Sequence, residues 1–143
     1  MSKKTIWITG GSTGIGKALA VKFASEGWNV AVSARRAELL NELSNSYENI
    51  TSFPLDVTDK EKCKEVFNKI KDKYENIDIC FFSTGTWDPK KEKNIDVEQM
   101  EDVFKVNFFG TVNSIKSVEQ YFRDKKNGVI TIVSSIAGYR GLP

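Results

Sequence analysis

The stretch W-I-T-G-G-S-T-G-I-G-K-A, from Trp7 to Ala18, decides the fold of this chain. Read from Gly11, it begins the G-x-x-x-x-G-K loop of nucleotide-triphosphate-binding proteins; read from Thr9, it is the T-G-x-x-x-G-x-G turn of dinucleotide-binding proteins. The first pattern predicts a phosphotransferase and the second predicts hydride transfer. A third interpretation, a glycine-rich turn without a ligand, leaves the conformational entropy lost by its glycines unexplained.

The residue after the lysine separates the two phosphate patterns. A nucleotide-triphosphate loop needs Ser or Thr there to hold Mg²⁺, whereas this chain has Ala18. Such proteins also need a strand that ends in Asp, and the fifth predicted strand ends at Ser134. In the dinucleotide turn, Gly10 allows the tight turn, Gly14 allows close approach of the pyrophosphate, and Gly16 allows the helix to pack near the sheet. The sequence therefore favours the dinucleotide turn.

Strand-length apolar runs alternate along the chain with longer segments of helical period. This alternation predicts an α/β fold, a Rossmann-like doubly wound parallel sheet of five strands in the order 3-2-1-4-5. We expect one dinucleotide-binding domain over residues 1–143, with its crevice outside the carboxyl ends of strands 1 and 4. The predicted strands are Thr5–Thr9, Asn29–Ser33, Ile50–Pro54, Ile77–Ser83 and Gly128–Ser134; the predicted helices are Gly14–Glu26, Arg36–Tyr47, Asp59–Tyr74 and Asp96–Arg123.

The helical periods also predict which apolar residues share one face of a helix. Ile15, Leu19 and Phe23 lie on one face of the first helix. Thr58, with Glu61 three residues later, predicts a capping box at the start of the third. The periodic apolar face of the fourth helix consists of Val103, Val106, Phe109, Val112 and Ile115. Without the family's next helix and strand to pack on it, we expect Phe108, Phe109 and Val112 to be partly exposed. Residues 86–94 read as an exposed loop.

Composition excludes several kinds of function. The 143 residues carry a net charge of +2, with acidic and basic residues interleaved, so we expect no nucleic-acid partner. The chain has no histidine, and Cys63 and Cys80 are far apart, so no metal site is predicted. The apolar run near the N-terminus is too short for a signal peptide, and none reaches the length of a membrane span. We therefore expect a cytoplasmic protein without membrane contact.

Four motifs, in order along the chain, resemble the short-chain dehydrogenase/reductase family. The turn from Thr9 to Gly16 is similar to that family's T-G-x-x-x-G-I-G motif. Asp56 and Val57 resemble its adenine contact, Asn107 its helix asparagine, and Ser135 its catalytic serine. The resemblance implies cofactor-binding roles for a set of residues: Gly10, Ser12, Thr13, Gly14, Ile15, Gly16, Arg35, Arg36, Asp56, Val57, Ser83 and Gly85.

The end of strand 2 predicts which cofactor is used. NAD-binding sites have a carboxylate there for the adenosine ribose, whereas this chain has Ala34 followed by Arg35 and Arg36. Guanidinium groups bind a 2′-phosphate with charge-assisted hydrogen bonds, so we expect NADP(H) in preference to NAD(H). The alternative is that the two arginines lie on a solvent-exposed turn and have no role in choosing the cofactor. After strand 4, the family's Asn-Ala-Gly is replaced by Ser83-Thr84-Gly85, which places the asparagine's sheet contact in doubt.

The resemblance implies catalysis by a tyrosine whose pKa is lowered by a lysine four residues later. Ser135 would orient the substrate oxygen, and Asn107 would help to hold a water path to the lysine. The family spacing places the tyrosine beyond Pro143. Tyr121 and Lys125 match Y-x-x-x-K by chance: the end of their helix lies at the opposite edge of the sheet, about 20 Å from Ser135. We expect Tyr121 to cover apolar surface and Lys125 to complement the helix dipole.

The sequence thus predicts the cofactor-binding portion of an NADP(H)-dependent oxidoreductase acting on a small carbonyl or alcohol, without the family's last strands and helices. Either the chain is part of a longer reductase, or it is a truncated product that lacks the chemistry. The alternative function is a non-catalytic dinucleotide-binding sensor or scaffold. The resemblance also implies homo-oligomers formed through the 96–123 helix.

Overall fold

The computed structural model describes residues 3–87 and 96–140. Its centre is a parallel sheet of five strands in the order β3-β2-β1-β4-β5, as the sequence predicts. Residues 88–94 of the predicted exposed loop lie outside the described residues. The strands are β1 Thr5–Thr9, β2 Asn29–Ser33, β3 Ile50–Ser52, β4 Ile79–Phe82 and β5 Val129–Ile132; the helices are α1 Gly14–Ser25, α2 Ala37–Ser46, α3 Lys60–Lys73, α4 Val97–Phe104 and α5 Gly110–Lys125, with a π-helical turn Lys105–Phe109 and a 3-10 turn Ile136–Gly138.

Two layers of helices cover the two faces of the sheet. Helices α1 and α2 pack on one face against a core that contains Ile6, Ile8, Val30 and Val32. Helices α3 and α5 pack on the other face, where Trp7 is fully buried. The Trp7 ring stacks on Phe67 at 5.7 Å and meets Phe82 edge-on at 5.6 Å between ring centroids. β1 is therefore buried on both sides, as expected for a central parallel strand.

The predicted apolar face of α1 is wrong only in part, because Leu19 and Phe23 are half-buried and pack against the core. The buried residues of α1 are Gly16, Ala20 and Ala24, whereas Ile15 is 64% exposed. The helix lies so close to the sheet that only small side chains fit between them, so the apolar period marks a half-exposed flank. The predicted cap of α3 is also wrong, because Asp59 rather than Thr58 accepts the hydrogen bond from the Lys62 N–H, at 2.8 Å.

The predicted single helix over residues 96–123 is three segments: α4, the π-helical turn and α5. The buried residues of α5 are Gly110, Ser114 and Val118. Phe109 is 56% exposed and Val112 is 43% exposed, in agreement with the expectation that both are partly exposed in this portion of the family fold. Ile115, on the same predicted face, packs against the core, so the face is buried on α5 only in part.

No helix within residues 3–87 and 96–140 is both long enough and apolar enough to cross a bilayer. In the same part of the chain, no three His, Cys, Asp or Glu side chains are grouped so that they could hold a metal ion.

Candidate cofactor site

A cavity of about 540 Å³ opens at the carboxyl ends of β1 and β4. This edge is where open α/β sheets bind their ligands, and the volume is in the range usual for small-molecule sites. All twelve residues predicted to bind the cofactor line the cavity. The full lining is Gly10, Ser12, Thr13, Gly14, Ile15, Gly16, Ala34, Arg35, Arg36, Leu55, Asp56, Val57, Ser83, Thr84, Gly85, Val106 and Val133.

The glycine turn forms the floor of this cavity. Gly10 and Gly14 have φ angles of +72° and +55°, which residues with a side chain rarely adopt. A Cβ at Gly16 would collide with the carbonyl oxygen of Gly10, whereas a Cβ at Gly14 would meet no atom within 4 Å. Gly16 is therefore required for close packing of the helix on the turn. At Gly14, the absence of a side chain instead leaves free space in the cavity.

The N-terminus of α1 faces this free space. Thr13 is the N-cap residue, and its side chain makes no capping hydrogen bond. The first N–H groups of a helix have no partner within the helix, and the helix dipole adds positive potential there. These groups and the glycine turn together form a site suited to a pyrophosphate.

The hydroxyls of the turn contact Arg36 instead. Nη2 of Arg36 lies 3.2 Å from Oγ of Ser12 and 3.2 Å from Oγ1 of Thr13 and donates to both. Arg36 is the N-cap residue of α2, so the end of β2 brings its guanidinium over the glycine turn. Ala34, where an NAD site would have a carboxylate, lines the cavity beside it.

Asp56 is the acidic residue of the lining. Its Oδ1 accepts hydrogen bonds from the N–H of Thr58 at 2.9 Å and from its hydroxyl at 2.8 Å. Burial raises the pKa of Asp56, but these hydrogen bonds and the charges of Arg35 and Lys105 outweigh it, so the pKa lies below the usual 3.8. Asp56 is an ionised acceptor at neutral pH.

Ser83 makes the sheet contact that the absent asparagine left in doubt. Its hydroxyl donates to the carbonyl oxygen of Thr9 at 2.7 Å, and its N–H donates to the same oxygen at 3.3 Å. The end of β4 is thus held to the end of β1 at the mouth of the cavity. A serine suffices because the two strand ends are directly adjacent.

Asn107 lies in the π-helical turn, and its amide binds the backbone of Thr86 at two points. Oδ1 accepts from the Thr86 N–H at 2.7 Å, and Nδ2 donates to the Thr86 carbonyl at 2.9 Å. Asn107 does not itself line the cavity. It holds the segment after Gly85, which does.

Ser135 follows β5 and is exposed, and its carbonyl oxygen accepts from the N–H of Gly138 at 3.1 Å. Val133 reaches the cavity lining, but Ser135 does not. The structure therefore brings the cofactor-binding candidates together and leaves the catalytic role of Ser135 a prediction.

Sequence reasoning missed part of the lining. Leu55, Thr84, Val106 and Val133 line the cavity, although none was predicted to bind. Each is next to, or two residues from, a predicted site residue, and three are apolar. Their position near predicted site residues could have indicated that they line the cavity. Apolar residues at such positions are, however, equally typical of the hydrophobic core.

Tyr121 and Lys125 lie at the opposite edge of the sheet, as predicted, but Lys125 has a different role. The Tyr121 hydroxyl accepts from the Ile77 N–H at 2.9 Å, and Lys125 Nζ donates to the Ile77 carbonyl at 2.6 Å. Nζ also lies 3.6 Å from Oδ1 of Asp78. Lys125 therefore binds the entry to β4 rather than merely complementing the dipole of its own helix.

Lys17 settles the choice between the two phosphate patterns. It is exposed on the first turn of α1 and is absent from the cavity lining. A nucleotide-triphosphate loop requires its lysine to reach the phosphates. The geometry therefore contradicts that pattern for the described residues.

Comparison with known proteins gives a family match over nearly the whole chain. The family model described as short chain dehydrogenase matches residues 4–143. A 3-oxoacyl-(acyl-carrier-protein) reductase, FabG, of Thermotoga maritima is 33% identical over 144 residues, covering 98% of this chain and 58% of its own length. An oxidoreductase of Listeria monocytogenes is 32% identical over 148 residues, covering 100% of this chain and 59% of its own length.

Solved structures agree with the sequence relatives. The structure of ElxO with NADP bound has a TM-score of 0.88 and 31% identity, covering 100% of this chain and 59% of that protein. Serine dehydrogenase from Escherichia coli has a TM-score of 0.87 and 25% identity, covering 96% of this chain and 65% of that protein. The chain thus spans about three fifths of the length of the proteins it matches.

Proposed function

Because this chain belongs to the short-chain dehydrogenase family, we propose that it is the cofactor-binding portion of an oxidoreductase that uses NADP(H) in preference to NAD(H). The proposed reaction moves a hydride between the nicotinamide and the carbon of a small carbonyl or alcohol. The observation that carries the cofactor preference is the position of Arg36, which rests on Ser12 and Thr13 at the cavity rim.

We propose that the dinucleotide lies along the cavity, with its parts held by different lining residues. The free space at Gly14, beside the uncapped start of α1, suits the pyrophosphate. Asp56 and Val57 would hold the adenine end, as in the family resemblance. Ser83 and Gly85 would border the nicotinamide ribose, with Ile15 and Gly16 completing the turn below the phosphates.

Charge supports the preference for a 2′-phosphate. Arg35 and Arg36 both line the cavity next to Ala34, so the end of β2 presents cations and no carboxylate. A carboxylate at this place would repel the phosphate, whereas a guanidinium pairs with it. The one acid of the lining, Asp56, is itself countered by Arg35 and Lys105.

When bound, the nicotinamide supplies or accepts the hydride. Asn107 fixes the backbone of Thr86 and so shapes the segment beside Gly85. We assign the orientation of the substrate oxygen to Ser135 and the proton transfer to a tyrosine and lysine outside residues 1–143. We also place the enzyme in the cytoplasm.

The test is a pair of titrations with NADPH and NADH. We expect NADPH to bind at least about tenfold more tightly, because one charged pair is worth about that factor or more. Arg36→Ala should remove this preference by weakening NADPH binding alone. Arg123→Ala, an exposed arginine on α5 paired with Glu119, is the matched control and should leave both affinities unchanged. Equal affinities in the unmodified protein would refute the cofactor preference.

The alternative, a non-catalytic sensor or scaffold, makes a different prediction. It requires dinucleotide binding without turnover of any carbonyl or alcohol in the complete protein. The comparisons do not favour it, because the named relatives are reductases and dehydrogenases.

A titration with Mg²⁺ and ATP tests the phosphotransferase pattern, and we expect no binding.

We also propose that the 96–123 region carries a homo-oligomer interface. Three large apolar residues of this region are exposed: Phe104 by 59%, Phe108 by 55% and Met100 by 53%. Exposed apolar groups in such number mark association surfaces. Sedimentation of the protein should give a dimer or larger species, and Phe104→Glu should shift it towards the monomer.

A further inference from the structure

Two amide side chains of the same helical region bind backbone segments that lie at different ends of the cavity. Asn107, in the π-helical turn, binds Thr86 beside the nicotinamide end. Asn113, in α5, donates from Nδ2 to the carbonyl of Val57 at 3.0 Å and lies 3.5 Å from the carbonyl of Thr58. The first contact resembles a family feature, whereas no motif of the sequence pointed to the second.

The segment that Asn113 binds is tightly held around Val57. The Val57 carbonyl also accepts from Sγ of Cys63 at 3.5 Å. Its side chain is 4% exposed and packs directly on Gly110, where any Cβ would overlap it. Val57 therefore has its carbonyl turned towards α3 and α5, while the residue still borders the cavity.

The same contacts fix Asp56. Its Oδ1 is bound by the N–H and hydroxyl of Thr58, so the direction of the carboxylate depends on where Thr58 lies. The carbonyls of Val57 and Thr58 are the groups within reach of the Asn113 amide. Asn113 is thus connected to the cavity through the backbone that carries Asp56, and it is not itself part of the lining.

We propose that Asn113 is a positioning residue for the adenine end of the dinucleotide. It holds residues 56–58 in the shape that presents Asp56 and Val57 to the adenosine, and it acts without touching the cofactor. The inference rests on the proposed function of the cavity. It also gives the two amides separate tasks, with Asn113 serving the adenine end and Asn107 the nicotinamide end.

The test separates the two ends of the ligand. Affinity for 2′,5′-ADP reports the adenine end alone, and the emission maximum of bound NADPH at saturation reports the surroundings of the nicotinamide. Asn113→Asp keeps the size of the side chain but faces the two carbonyls with an acceptor. We expect this variant to bind 2′,5′-ADP and NADPH more weakly by the same factor, about tenfold or more. The emission maximum of bound NADPH should not change.

Further variants keep the result interpretable. Asn113→Ala removes the donor without adding repulsion, so it should weaken the binding of 2′,5′-ADP and of NADPH by about threefold to tenfold. It replaces the aspartate variant if that variant does not fold. Asn107→Ala should do the reverse, shifting the emission maximum while 2′,5′-ADP affinity is retained. Ser117→Ala is the control on α5, because its hydroxyl bonds the Ser114 carbonyl away from the cavity, and it should change neither reading.

Two results would overturn the proposal: unchanged 2′,5′-ADP affinity in both Asn113 variants, or a loss accompanied by a shifted emission maximum, which would indicate a general structural role. Failure of the unmodified protein to bind NADPH, NADH and 2′,5′-ADP is a separate outcome. It would refute the proposed function itself, and with it this inference.

Discussion

The Ser83 hydroxyl donates a hydrogen bond of 2.7 Å to the carbonyl oxygen of Thr9, and so joins the ends of β4 and β1 at the mouth of the cavity. The two residues are 74 positions apart in the chain. The hydroxyl therefore adds a side-chain bond to the backbone ladder that joins the two central strands where the ligand would enter.

Replacing this hydroxyl should weaken both the fold and the site. We expect Ser83→Ala to lower the free energy of unfolding by about 1 kcal/mol, because the Thr9 carbonyl keeps only its longer bond to the Ser83 N–H. Urea unfolding measures the loss. Ser44→Ala, which removes an exposed hydroxyl on α2, should cost less than half as much.

A substitution at Gly16 should mainly cost stability, whereas one at Gly14 should mainly cost cofactor affinity. Gly16→Ala forces a Cβ onto the Gly10 carbonyl and should cost about 3 kcal/mol of stability. Gly14→Ala meets no neighbouring atom but has a φ of +55°, so it should cost about 1 kcal/mol while its methyl group obstructs the pyrophosphate.

Gly27→Ala is the control for Gly14, because Gly27 has a φ of +82°, open space around it and no place in the cavity lining. It should lose a similar stability and keep its affinity for NADPH. If Gly14→Ala bound NADPH as tightly as Gly27→Ala, the turn would not hold the pyrophosphate. Calorimetric melting and ligand titration supply the two measurements.

Tyr121→Phe should destabilise the protein without affecting the cofactor. The substitution leaves the buried Ile77 N–H without its acceptor, at a cost of about 1–3 kcal/mol. Because this contact lies at the sheet edge opposite the cavity, the affinity for NADPH should not change. Tyr139→Phe, at a side chain that is 96% exposed, should be neutral in both measurements.

The two buried cysteines should make stability fall at high pH. Burial raises the pKa of the Cys63 thiol from 9.0 to about 11, and burial raises that of Cys80 as well. The unfolded chain releases these protons first, so stability is fully present below pH 9 and is lost as the pH rises from 9 towards 11.

The reactivity of the two thiols at pH 8 tests whether burial raises their pKa values. We expect both cysteines to react slowly with a thiol reagent in the folded protein and rapidly in urea, because only the thiolate is nucleophilic. Rapid reaction of either thiol in the folded state would contradict the burial that raises its pKa.

The order of the strands and the composition of the cavity could be predicted because they depend on local signals. Alternating apolar runs determine the sheet, and the spacing of Gly10, Gly14 and Gly16 reflects needs of the backbone itself. The absence of a carboxylate at the end of β2, where Arg35 and Arg36 follow Ala34, is visible in the sequence, and the cofactor preference inferred from it stays a prediction. Each of these features can be read from neighbouring residues in the chain.

The remaining features depend on contacts between distant segments. Gly16 indicated that α1 packs near the sheet, but no local pattern indicates that the helix buries Ala20 and leaves Ile15 exposed. The π-helical turn Lys105–Phe109 likewise has no local signal, and it includes the two-point contact of Asn107 with Thr86, 21 residues away. Asn113 was missed for the same reason, since its partners are more than 50 residues away.

The burial of Trp7 gives the molecule an internal optical probe. Trp7 is fully enclosed on the α3 and α5 side, Trp28 is half-buried on the α1 and α2 side, and Trp87 is 62% exposed. The three indoles therefore emit from dry, intermediate and aqueous surroundings. A chain that keeps Trp7 alone would report, by the colour of one fluorophore, whether water enters the centre of the sheet.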